Sequence, residues 1–122
     1  MASSGELRLE VEQQDAGPSG SVTVVRATGE VDLTNAEDLQ RAIESDGALV
    51  LDLTGVGFMD SSGLRVLLVK AAEPEPRFAL VLRHGSPVLR LIELSQVSDR
   101  LHWFENETEA RDAVASADGA DG

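Results

Sequence analysis

Cysteine is absent from all 122 residues. That removes disulfide frameworks, cysteine zinc sites, iron–sulfur clusters and thiol nucleophiles before any motif is read, and nothing calls for an oxidising compartment. Positive charge is scarce: Lys and Arg total 10 against 22 Asp plus Glu, a formal net charge of -12. An envelope so negative repels nucleic-acid phosphates and anionic membranes. It serves solubility, or it meets a basic protein partner. Long apolar runs are missing as well. None approaches the ~18 residues of a spanning helix, and the start, Met1 to Glu6, lacks the basic-then-apolar order of a leader. The expectation is a cytoplasmic protein with no nucleic-acid partner and no direct membrane insertion. Two histidines and scattered carboxylates offer no ligand spacing, so neither metal nor cofactor is expected.

What is present suits one compact domain, with 42% hydrophobic residues to supply a single core. Residues 1–5 and 116–122 are small, polar and glycine-containing, and read as loose tails around a domain over 6–115. Leu7, Leu9 and Val11 alternate with polar residues, and Asp15 to Gly20 is turn chemistry, so a hairpin leads into a second strand over Ser21 to Ala27 that ends near Thr28-Gly29-Glu30. Thr34 and Glu37 form a capping-box pattern ahead of Ala36, Leu39 and Ile43, the apolar face of a first helix. Ala48 to Leu53 reads as a short buried strand followed by a glycine-containing loop, Thr54 to Asp60. A helix rich in apolar residues starts near Ser61 and is stopped by Pro74 and Pro76. Phe78 to Leu82 is a further buried strand, Ser86-Pro87 opens a third helix, Leu101 to Phe104 is a last strand, and Asn106 with Glu109 caps a fourth helix.

After the opening hairpin, strands and helices alternate. Crossover connections of that kind give an α/β fold: a mostly parallel mixed sheet of about five strands, an antiparallel edge strand, and about four helices. In such sheets functional groups gather where strands end and helices begin. Asp60-Ser61-Ser62-Gly63 occupies that kind of junction, with Asp60 placed to cap and the hydroxyls in the first turn. Capping and close packing would explain these residues as well as function would.

Several chemistries fail on spacing. A catalytic Ser61 needs a base, yet nothing ties His84 or His102 to it and Gly-x-Ser-x-Gly is missing. A phosphoacceptor-aspartate receiver wants a lysine closing a strand, whereas the sole lysine, Lys70, lies inside the second helix. Gly55-Val56-Gly57 hints at nucleotide binding, but Asp60 stands where the third glycine belongs and would repel a pyrophosphate, so the glycines read as a turn. No catalytic residue is assigned. Trp103 and Phe104, in a chain with 3% aromatics, fit core packing or a partner anchor.

Leu51-Asp52-Leu53 followed by Val56-Gly57-Phe58-Met59-Asp60-Ser61-Ser62-Gly63-Leu64 closely resembles the signature of the STAS domain family, named for sulfate transporters and anti-sigma factor antagonists. Thr28-Gly29-Glu30-Val31-Asp32, with Thr34, Ala36 and Leu39 after it, resembles the family's second signature. The resemblance spans roughly residues 6–115 and is greatest to the soluble anti-sigma factor antagonists. It implies a protein that binds an anti-sigma factor when unmodified, releasing a sigma factor. The anti-sigma factor is often itself a serine kinase, which ends the interaction by phosphorylating the serine after the aspartate, here Ser61 with Ser62 as fallback. A serine phosphatase then restores binding. The partner-binding residues so implied are Glu30, Asp32, Asp60, Ser61, Ser62, Gly63 and Arg65. Arg65, where family members often carry glycine, is placed four residues after Ser61 to pair with its phosphate or simply to face solvent. Glu73-Pro74-Glu75-Pro76 cuts the second helix shorter than the family pattern. The other reading is a soluble STAS subunit of a transporter, lipid-trafficking or stress-signalling complex.

Overall fold

The computed structural model describes residues 6–15, 17, 20–45, 47–74 and 77–119, with the side chains of 116–119 left aside. The expected residues 1–5 and 120–122 of the tails, and Pro76, lie outside the described residues. Five strands, β1 (Arg8–Asp15), β2 (Ser21–Val31), β3 (Ala48–Met59), β4 (Phe78–Val81) and β5 (Trp103–Phe104), form one sheet in sequence order. β1 pairs antiparallel with β2 from Arg8↔Thr28 to Asp15↔Ser21, and every later pairing is parallel. The helices are α1 (Ala36–Ala42), α2 (Ser61–Ala71), α3 (Pro87–Leu94) and α4 (Glu107–Gly119). Fold class, strand number and the antiparallel edge are as the alternation predicts.

The side-chain alternation of β3 divides the interior. Leu49, Leu51 and Leu53 face a large core shared with Leu39 and Ile43 of the α1 region, Leu64 and Leu67 of α2, and Val88 and Ile92 of α3. Val50, with Val22, Val24, Ala79 and Val81, faces a thinner layer closed by Ala110 and Val114 of α4. Three helices therefore cover one face and one helix the other.

Several local expectations are corrected. Thr54 to Met59 is not a loop; it continues β3 beside Thr28 to Val31, with register shifts at Arg26/Thr28 and Gly29/Glu30. Gly55 does not mark a turn: it lets the chains approach, since a Cβ there would sit 2.5 Å from Thr28 Cγ2. Gly29, at φ 104, supplies the conformation the irregular ladder needs. The cap of α1 is Asn35 rather than Thr34, and it makes no side-chain cap bond, because its amide and the Thr34 hydroxyl are used within the preceding loop. α4 runs to Gly119, past the boundary expected at Ala115, through a stretch rich in the strong helix former Ala. β5 is confined to Trp103–Phe104, although Leu101 is buried all the same.

The starts of α2, α3 and α4 match the capping signals: Asp60 accepts from Ser62 N, Ser86 from Leu89 N at 3.2 Å, and Asn106 from Glu109 N at 2.9 Å. α2 ends at Ala71, before Pro74. Trp103 packs against the large core and Phe104 against the thinner layer.

Candidate functional site

Val31 and Met59, the last residues of β2 and β3, are register partners, and Asp60 N–H donates to the Val31 carbonyl at 3.1 Å. That bond extends the ladder by one step and holds the start of α2 against the loop that follows β2. Asp60 is extended (φ -102, ψ -172), and its carboxylate accepts from Ser62 N at 2.8 Å while its carbonyl accepts from Leu64 N at 3.1 Å. One otherwise unsatisfied donor of the first turn is thereby answered. The structure thus gives Asp60 a structural task, a side-chain cap.

The next residues divide by orientation. Ser61 is exposed, Ser62 half-buried, Gly63 buried and Arg65 exposed. Of the two readings of Gly63, close packing or partner contact, close packing is what the structure shows. A Cβ at that position would stand 2.7 Å from both Met59 Cγ and Val31 Cγ1. Gly63 is therefore a packing residue that lets α2 lie close on β2 and β3, and it is not available as a contact surface.

Asp32 and Glu30 come to the same end of the sheet as Ser61. Asp32 accepts from both the amide (2.9 Å) and the hydroxyl (2.5 Å) of Thr34, which hold its carboxyl below the usual range. Asn35 accepts from Asp32 N and donates to the Glu30 carbonyl, each at 3.0 Å. This small network sets the shape of the loop. Glu30 and Asp32 line a shallow hollow with Glu6 and Asp38, all acidic. Arg65 lies one turn beyond Ser61 and lines a groove of about 460 Å³ between α1 and α2 with Ile43, Val66, Val69 and buried Lys70. Lys70 Nζ pairs with Glu73 at 3.3 Å.

Sequence reasoning missed two apolar residues here. Leu33 is 80% exposed at the tip of the Asp32–Asn35 loop, and Phe58, the register partner of Glu30, is 46% exposed. A lone leucine inside a polar loop was a usable signal for the first. Phe58 was hidden because its segment was read as loop, in which no side is defined.

His84 is engaged with Glu105 and stands edge-on to Trp103, with ring centroids 5.7 Å apart. No group of three or more metal-ligating side chains occurs among the described residues. No helix among them is long and apolar enough to cross a membrane. What the junction offers chemically is a solvent-facing primary hydroxyl on the first turn of a capped helix, beside an acidic loop.

The STAS domain model matches residues 13–110, so the chain belongs to the STAS domain family. Among solved structures it is similar to an anti-sigma factor antagonist from Mycobacterium paratuberculosis, with 27% identity and a TM-score of 0.76 over 93% of this chain and 98% of that one. The anti-sigma factor antagonist SpoIIAA in its unphosphorylated form shares the fold at 21% identity and a TM-score of 0.62, over 86% of this chain and 96% of that one. So does a protein from Shewanella loihica with a SpoIIAA-like fold, at 13% identity and a TM-score of 0.57 over 93% of this chain and 99% of that one.

Proposed function

We propose that this chain is an anti-sigma factor antagonist of the cytoplasm. Unphosphorylated, it binds an anti-sigma factor that is a serine kinase and so releases a sigma factor; phosphorylation at Ser61 ends the binding, and a serine phosphatase restores it. The chain contributes no catalysis, since the kinase and the phosphatase supply the chemistry. The likeness to the mycobacterial antagonist over nearly the whole of both chains supports the pathway. The observation that carries the switch is the position of Ser61, exposed at the start of a helix whose opposite side is packed in the core.

That position accounts for the behaviour required. A phosphate adds about -1.5 to -2 charge where helix amides and the dipole tolerate an anion, so the fold survives modification. A partner surface shaped to a neutral hydroxyl has to desolvate or displace that charge, and about 1.4 kcal/mol already changes affinity tenfold. Ser62 is the weaker candidate because it is half-buried and its amide is taken by Asp60.

The test is incubation with candidate anti-sigma kinases and ATP, followed by mass spectrometry of the peptide bearing both serines and by calorimetry of Ser61→Asp. Phosphate on Ser61 and weakened binding by the variant are expected. Phosphate on neither serine, or an unaltered affinity for Ser61→Asp, would sink the reading.

A further inference from the structure

We infer that Leu33 and Phe58 are the apolar anchors of the docking face and that the partner meets them with an apolar surface ringed by arginine or lysine on the side of the β2–α1 loop. The inference rests on the reading above and specifies the partner's chemistry. Five large hydrophobics are substantially exposed among the described residues: Val11, Leu33, Phe58, Val69 and Leu94. Leu33 and Phe58 are brought to the carboxyl ends of β2 and β3, where Ser61 stands. Val11 lies on the edge strand, Val69 on the α1–α2 groove, and Leu94 on the last turn of α3.

The loop bearing Leu33 is held by the Asp32–Thr34 and Asp32–Asn35 bonds. Its anchor is therefore presented with little ordering entropy left to lose on binding. Phe58 is fixed by the β2–β3 ladder. An exposed Leu and an exposed Phe on fixed backbone, among polar neighbours, is the composition expected of an interface centre with a charged rim.

On the side of the β2–α1 loop the rim is acidic. Glu30 and Asp32 carry no ion-pair partner among the described residues, whereas Asp38 is answered by Arg41 at 3.2 Å. Carboxylates without a cation beside apolar anchors favour a cationic ring opposite them. Those cations have to stand over the loop and away from Ser61; set opposite Ser61, they would make phosphorylation tighten the complex.

The experiment uses the full chain and a purified anti-sigma kinase that phosphorylates it, with affinities measured by calorimetry at about 50 and about 500 mM salt, either side of strong screening. Leu33→Ala and Phe58→Ala are each expected to weaken binding roughly tenfold or more. Leu94→Ala, a truncation on α3 at a leucine about as exposed as Leu33, is expected to bind as the parent does. High salt is expected to weaken the parent more than it weakens Asp32→Asn. Melting curves confirm that the variants fold, as surface truncations should. Parent-like binding by both anchor variants, or salt-independent affinity, overturns this inference while phosphorylation-controlled binding by the parent leaves the proposed function standing. An equal loss in Leu94→Ala also overturns it. Failure of the parent to bind any such kinase overturns the proposed function itself, and this inference with it.

Discussion

α2 and α4 lie on opposite faces of one sheet and are held there by different forces. α2 buries Leu64, Val66 and Leu67, and at Gly63 its backbone comes within side-chain reach of Val31 and Met59. Among the described side chains α4 contributes buried Ala110 and Val114, with half-buried Ala115 beside them, to a thinner layer, and its first turn is tied by ions. Arg26 donates to Glu107 through Nε (2.7 Å) and Nη2 (2.9 Å) and pairs with Glu12 at 2.8 Å. Asp52, the register partner of Arg26, accepts from the Thr54 amide (2.9 Å) and hydroxyl (2.7 Å) and lies close enough to Glu107 for the two carboxyls to influence each other. Burial, then the neighbouring Glu107 carboxyl, pushes Asp52 up, while the Arg26 fork draws Glu107 down to about 2. Packing without charge is indifferent to an added anion. The sheet-facing side of the helix that bears Ser61 is docked in that way, its buried Lys70 pairing with Glu73 near the far end, whereas the first turn of α4 is held by ions and should answer to pH and salt.

The largest expected effect is on α2. Gly63→Val forces atoms into space held by Val31, which is fully buried. A loss of roughly 3 kcal/mol follows, seen as a melting temperature lower by about 10 °C. If calorimetric melting shows no loss, the close approach of α2 to the sheet is wrong.

On the other face, Arg26→Met leaves two carboxyl groups facing each other without their cation, at a cost of about 2 kcal/mol. Hydrogen exchange should place the new opening in α4; uniform acceleration across the sheet would contradict an ionic clamp. The pH signs are opposite for the two acids. Glu107, lowered from 4.5, stabilises above that value and loses its contribution as pH falls toward about 2. Asp52, raised from 3.8, is comfortable at low pH and becomes costly as pH rises through its folded value. Asp52→Asn should therefore raise the melting temperature modestly at pH 7 and lose that advantage below the ordinary Asp range. A variant that is less stable than the parent at pH 7 would reverse the assignment.

The smallest effect closes the comparison. Ser61→Asp should leave stability within about 0.5 kcal/mol of the parent, because an exposed first-turn anion suits the helix dipole. A large drop in melting temperature would mean that α2 is charge-sensitive after all.

Reading the chain alone was most successful where a local pattern has one physical solution. Asp60, Ser86 and Asn106 cap the helices for which their spacing marked them. It failed where the deciding partner is far along the chain. Nothing near Gly55 says that Thr28 will lie against it, so a strand was read as a loop. Nothing near Arg26 points to Glu107. Thr34 looked like a cap until the loop gave its hydroxyl to Asp32. At the junction itself, the helix start at Asp60 and Ser61 and the close packing open to Gly63 are legible locally, whereas the exposure of Leu33 and Phe58 is not.

Composition, apolar period and capping residues by themselves determined an aliphatic α/β domain with a serine at a helix start, since those signals act over a few residues of chain. The β2–β3 register decided the rest: it brought Asp32 and Leu33 to the sheet end where Ser61 stands, left Phe58 exposed and used Gly63 for packing. Register depends on which side chains meet across strands, and only the folded sheet settles that.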